Sequence, residues 1–152
     1  MAREFLGTGM AFPPQVDPAT GRFVTSSGNK SVKESIYLIL MTQTTERLVR
    51  PNFGTDVQSW VFMNANATML GMMRRDLTER ILSQEPRIES VDITTEAPNN
   101  QGYVLVNINY LVAGSNTRDN LVFPFYLQGE QPQEEEETEY YEPTIIDSGE
   151  EV

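Results

Sequence analysis

The residues best placed to do chemistry are Glu85 and Arg87, an acid and a base held on either side of Pro86. Proline fixes its own φ and pushes the preceding residue out of helical space, so the three residues make a rigid corner. A carboxylate and a guanidinium in that arrangement either lock the corner from within as an ion pair or present their charges to a partner. Imidazole and thiol chemistry are excluded. The 152 residues contain no histidine and no cysteine, which removes imidazole-based triads, histidine-ligated metals and disulfides.

The elements that position this corner follow from hydrophobic periodicity. Upstream, Asn64 or Asn66 caps a helix over Ala67 to Gln84, with Leu70, Met73, Leu77 and Ile81 on one face and Arg74, Arg75, Glu79 and Arg80 mostly elsewhere. Downstream, Glu89, Val91, Ile93 and Thr95 alternate with Ser90, Asp92, Thr94 and Glu96, the pattern of a strand with one wet face. After turn chemistry from Ala97 to Gly102, Tyr103 to Val112 is the strongest strand, placing Val104, Val106, Ile108, Tyr110 and Val112 on one face. A third strand runs from Leu121 to Leu127. Pro124 cannot donate to a ladder, so that strand is expected at a sheet edge or with a break.

Earlier in the chain, Ser31-Val32-Lys33-Glu34 matches a capping box and predicts a helix that starts there and ends around Gln43, with Val32, Ile36, Ile39 and Leu40 inward. Arg47 to Arg50 reads as a short extended piece closed by Pro51 and Gly54. Arg47 and Arg50 are then either solvated edge charges or partners for a carboxylate such as Glu85. Trp60, within the apolar patch Val57 to Phe62, reads as core. Residues 1–30 are rich in glycine and proline and predict an ordered arm without a long helix. Gly7-Thr8-Gly9 lacks the strand, helix start and lysine of a phosphate loop. The expected fold is α+β, with two helices packed on a small, mainly antiparallel sheet. An extended N-terminal arm (1–30) precedes that domain (31–128), and a disordered acidic C-terminal tail (129–152) follows it.

The net charge of −11 divides unevenly. Residues 129–152 hold ten acids and no bases, whereas residues 1–128 are nearly neutral, with twelve acids against eleven bases. No basic footprint for nucleic acid results. No segment has the roughly 20 apolar residues of a membrane span, and the N-terminus lacks a signal-peptide run, so a soluble protein made in the cytoplasm is expected. The tail is expected to solubilise the chain, or to dock Tyr140 to Ile146 on another subunit as a linear segment.

Four pieces in order, Gly7-x-Gly9-x-x-Phe12-Pro13-Pro14, Glu34-Ser35-Ile36 leading to Ile39-Leu40, Glu46-Arg47-x-x-Arg50-Pro51-x-Phe53-Gly54 and Glu85-Pro86-Arg87-Ile88, resemble the baseplate wedge proteins of contractile phage tails and injection systems, often called sheath initiators. The resemblance covers roughly residues 5–127. Thr45 stands where the family's usual pattern has glycine, and the acidic tail lies outside the match. What the resemblance implies is a non-enzymatic structural protein assembled into the baseplate, in six copies around the tube, with no cofactor and no metal. Its implied partners are sheath subunits and other wedge and hub or tube proteins. It implies wedge docking at Glu85, Pro86 and Arg87, and marks Arg47, Arg50 and Phe53 as motif positions without assigned role.

An apolar edge strand left exposed is a template for a partner's strand, which points to Leu105, Val106, Ile108, Val122, Phe123 and Phe125 as a strand-addition surface for the sheath. Two rivals stand beside this reading. Family members have been labelled lysozyme-like, which requires two flanking carboxylates, one with a raised pKa. The candidates Glu79, Glu85 and Glu89 lie close to Arg80 and Arg87, whose charges push the wrong way. The other rival is a free-standing adaptor acting through the acidic tail.

Overall fold

The computed structural model describes residues 4–62, 66–96 and 102–126. The tail, the Ala97 to Gln101 turn, Asn64 and Leu127 therefore lie outside the described residues. Seven regular elements follow in order: β1 (Thr8–Met10), β2 (Thr25–Ser27), α1 (Gly28–Met41), α2 (Ala67–Gln84), β3 (Ile88–Glu96), β4 (Tyr103–Val112) and β5 (Thr117–Tyr126). Short 3-10 turns at Glu4–Leu6 and Val57–Phe62 complete them. The result is α+β, as the periodicity requires.

One core unites these elements. Val32, Ile36 and Leu40 of α1 and Met73, Leu77 and Ile81 of α2 bury the same face of the antiparallel sheet β3-β4-β5. That face is made by the alternate residues Val106, Ile108, Tyr110 and Val112, with Ile93 from one neighbour and Phe125 from the other. Trp60 packs against this core part-buried. α2 begins where expected, because the Asn66 side chain accepts from the Met69 amide at 2.8 Å.

β4 is the middle strand and β5 an outer one, which is where Pro124 is tolerated. β5 starts at Thr117, four residues earlier than its apolar run predicts. The turn between β4 and β5 closes immediately after Val112, with Gly114 and Asn116 at positive φ, and polar residues then continue the ladder.

Two sequence expectations fail here. α1 starts at Gly28 with Ser27 as its N-cap, so Ser31 and Glu34 lie within the helix and form no capping box. Glu34 instead accepts a hydrogen bond from Ser26 of β2, and Ser31 is engaged by Arg87. The β1–β2 ladder, Thr8 to Ser27 through Met10 to Thr25, carries the chain straight into the helix and moves its start upstream. The arm thus includes a small hairpin lying on α1, with Leu6 buried in the core.

The second failure is the short strand at Arg47 to Arg50, which is a closed loop instead. Thr45 donates its amide to the Pro51 carbonyl at 2.7 Å and adopts φ +76, the left-handed region that glycine favours. Where the loop returns, Gly54 has φ +102, and a Cβ there would lie 2.2 Å from the Thr42 carbonyl oxygen.

Gly54→Ala should therefore lower stability by about 2–3 kcal/mol, while Thr45→Gly should raise it by about 0.5–1 kcal/mol by relieving a strained backbone. Urea midpoints moving in opposite directions with unchanged m values would check both.

Candidate functional site

The Glu85-Pro86-Arg87 corner is built from the inside. α2 ends as Glu85 donates its amide to the Ile81 carbonyl, and the Glu85 carbonyl accepts from the Ile88 amide across the proline. The Glu85 side chain is 3% exposed, and both its oxygens are taken by Arg87 at 2.7 Å, from Nε to Oε1 and from Nη2 to Oε2. Such a two-pronged pair is the strong form of a charged hydrogen bond. The Arg87 amide and the Ser35 hydroxyl add further donors to Glu85. Burial raises the Glu85 pKa, but the hydrogen bonds from Arg87 and Ser35 and the charge of Arg87 outweigh it and hold the carboxyl below its usual value. Arg87 is pushed upward chiefly by its hydrogen bond to Glu85.

Arg87 has one prong left. Its Nη1 donates to the Leu6 carbonyl at 3.0 Å and to the Ser31 hydroxyl at 3.2 Å, tying the N-terminal arm and α1 to the corner. Its own carbonyl accepts from the Ala113 amide, which extends the β3–β4 ladder past Ile88. Neither Arg47 nor Arg50 neutralises Glu85.

Those two arginines belong to the 43–55 loop, which α2 holds from beside the corner. Gln84 accepts from the Gly54 amide at 2.7 Å and donates to the Gly54 carbonyl at 2.9 Å. One turn earlier, Arg80 reaches Asp56 at 2.8 Å and Thr44 at 3.2 Å. Thr55, buried, closes the base through its hydroxyl to the Leu40 carbonyl. Arg47 lies over the Phe53 ring at 4.2 Å. Between loop and corner runs an open groove of about 550 Å³, lined by Val49, Arg50, Pro51, Phe53, Gln84 and Pro86 among others. The motif positions Arg50 and Phe53 are therefore brought beside exposed Pro86, with Glu85 behind them.

The sheet edge lies elsewhere. β4 is paired along both sides, so Leu105, Val106 and Ile108 have no free ladder to offer, and an added strand could bond only to an outer strand. In β5 the Val122 side chain is 47% exposed, whereas Phe125 is buried and Phe123 packs against Tyr37 and the core. Among the described residues no cluster of acids is arranged to hold a metal, and no helix is long and apolar enough to cross a membrane.

The family model for baseplate wedge protein gp25 matches residues 26–117, a span that contains α1, the clamped loop, α2 and the corner. The chain belongs to this family. As a gp25-family wedge protein it is a structural baseplate component of contractile tail systems. Among solved structures, a Geobacter sulfurreducens protein provisionally named a tail lysozyme is 39% identical with a TM-score of 0.63, over 72% of this chain and 100% of that one. A chain of the anti-feeding prophage baseplate is 25% identical with a TM-score of 0.55, over 80% of this chain and 86% of that one. No curated protein matches.

Sequence reasoning about this wedge protein found the corner and the motif arginines but not what clamps them. Gln84, Arg80 and Ser35 look like ordinary polar helix residues, and nothing in their spacing reveals partners 24 or more residues away. Leu48-Val49, two apolar residues flanked by arginines, reads in the sequence as part of a short extended piece, but in the fold both are exposed on a loop.

Removing Arg87 leaves a buried carboxylate without its partner, so Arg87→Ala should cost about 3–5 kcal/mol. Because the folded Glu85 pKa lies below its ordinary value near 4.5, the pair's contribution is present above that pH and is lost as pH falls through the folded value. Wild type and Glu85→Gln should therefore differ at pH 7, and the difference should shrink in thermal melts as the pH falls below 4.5. A constant gap across that range would contradict the pairing.

Proposed function

We propose that this wedge protein joins the baseplate wedge to the sheath and starts sheath assembly by strand addition. The observation that carries the reading is β5, a ten-residue outer strand that ladders with β4 along one side and ends the three-stranded sheet of the described residues. An incoming extended arm would take its geometry from main-chain hydrogen bonds and its register from alternating side chains. Proline is accommodated in an outer strand with its nitrogen facing away from the ladder, and the two-residue period then puts the Val122 amide on the same open side as Pro124. Val122 is the central donor for a guest strand. The wedge contact is assigned to the corner, with Pro86 facing the partner and Glu85 and Arg87 fixing its angle. The similar anti-feeding prophage chain comes from a six-fold symmetrised baseplate, and we carry that copy number over.

A hydrolase reading is favoured only by the name of the Geobacter sulfurreducens relative. A glycosidase needs an accessible carboxylic acid that is protonated at working pH. Glu85 is buried, doubly bonded to Arg87 and shifted in the opposite direction. The protein acts by binding.

Val122→Pro should leave baseplates intact and abolish sheath polymerisation on them, as seen by electron microscopy of the particles. Sheaths of normal length on that variant would end the strand-addition reading. Purified protein should not clear a peptidoglycan suspension; clearance that Glu85→Gln removes would restore the hydrolase.

A further inference from the structure

The 43–55 loop exposes its apolar residues in a way the rest of the surface does not. Leu48 is 98% exposed and Val49 93%, adjacent to each other at the tip of a loop that is fastened at every side. Isolated exposed apolar residues are ordinary on a protein surface, but a fastened pair is not. Gln84 grips both polar groups of Gly54, Arg80 holds Thr44 and Asp56, and Thr45 accepts a strained backbone so that the tip turns outward.

The charges around the tip are uncommitted in one sign only. Among the described residues no ion pair involves Arg47 or Arg50, and Arg47 is steered by the face of Phe53. The neighbouring acid, Glu46, is turned back to accept from the Gln43 amide at 3.0 Å. The tip therefore shows two apolar side chains between two guanidinium groups, and the groove beside it leads to Pro86.

We propose that Arg47-Leu48-Val49-Arg50 is a docking knob that inserts Leu48 and Val49 into an apolar cleft rimmed by carboxylates on a second baseplate protein. The occupant follows from charge complementarity: burial of the apolar pair supplies the contact, and rim acids meeting Arg47 and Arg50 set its orientation. This inference rests on the wedge-docking reading. It adds the loop to the corner as one continuous surface and gives the motif arginines and Phe53 a role. Phe53 aims Arg47, Gly54 and Thr45 shape the loop, and Gln84 keeps loop and Pro86 in fixed relation.

The test uses baseplates purified from the producing host carrying one version of the full chain, whose occupancy is counted by mass spectrometry. The versions are wild type, Leu48→Asp with Val49→Asp, Arg47→Glu with Arg50→Glu, Val122→Pro, and a tail version in which Glu134, Glu135, Glu136 and Glu137 are each replaced by Gln. Both tip versions should keep the wild-type melting midpoint, since the altered side chains are exposed, yet fall at least tenfold in occupancy. The tail version should stay at wild-type occupancy.

Wild-type occupancy of the Leu48→Asp with Val49→Asp version would overturn the inference. So would a loss in the tail version equal to that of the tip versions, which would assign the knob to the chain's own acidic segment. Absence of the wild-type chain from baseplates would instead overturn the wedge reading itself, and Val122→Pro, acting on the sheath side, should occupy baseplates normally whichever way the tip behaves.

Discussion

The fold hangs on one buried ion pair. Glu85 and Arg87 are two residues apart, yet their bonds reach four parts of the chain: the end of α2, the start of β3, the N-terminal arm through Leu6, and α1 through Ser31 and Ser35. A carboxylate that is 3% exposed costs far more to bury alone than paired, so the Glu85 side chain depends on Arg87, and Arg87 in turn is held by the arm and α1. Proline between the partners removes the freedom that would otherwise let the pair open. The corner thus fixes where α2 ends and β3 begins, and the apolar core packs between the helices and the sheet.

From that corner α2 acts as a ruler. Arg80 and Gln84, one turn apart, hold the 43–55 loop on the side of the helix that is not buried against the sheet, while Met73, Leu77 and Ile81 hold the other side. Loop tip and Pro86 are therefore positioned by the same few residues, and the outer strand β5 is positioned by the same core from across the sheet. The hydroxyl of Tyr110 in β4 donates to Asp119 of β5, which also meets Lys33 of α1 at 3.7 Å, so the outer strand is tied to the helix layer as well as to its neighbour. Burial, reinforced by the Asp119 charge and hydrogen bond, keeps that phenol protonated.

How much of this was legible depended on the range of the signal. α2, β3 and β4 were read to within a residue or two because period and boundary agree: Asn66 opens, Pro86 closes, and the inward residues of β4 alternate without a break. α1 begins three residues before Ser31 because Ser31 to Glu34 satisfies only a local rule, whereas the β1–β2 ladder, formed between residues 15 to 19 apart, decides the start. The loop at Arg47 has the local pattern of a strand for the same reason. Its course is set by Gly54 against Thr42 and by Gln84 from 30 residues on, which no local pattern encodes. Of the site, the corner and its charges were visible, and their inward direction was not, because it depends on Ser35 and Leu6 meeting them in space.

The sheet's two outer strands are unequal. Along β3 the exposed positions include Glu89, Asp92 and Glu96, and a bulge at Glu89 breaks the regular spacing between Ile88 and Ser90. Charge and irregularity of this kind discourage edge pairing. β5 keeps an unbroken ten-residue register with β4. Under the proposed strand addition, two margins that differ in this way make growth one-sided, along β5 and away from the bulged, acidic margin of β3.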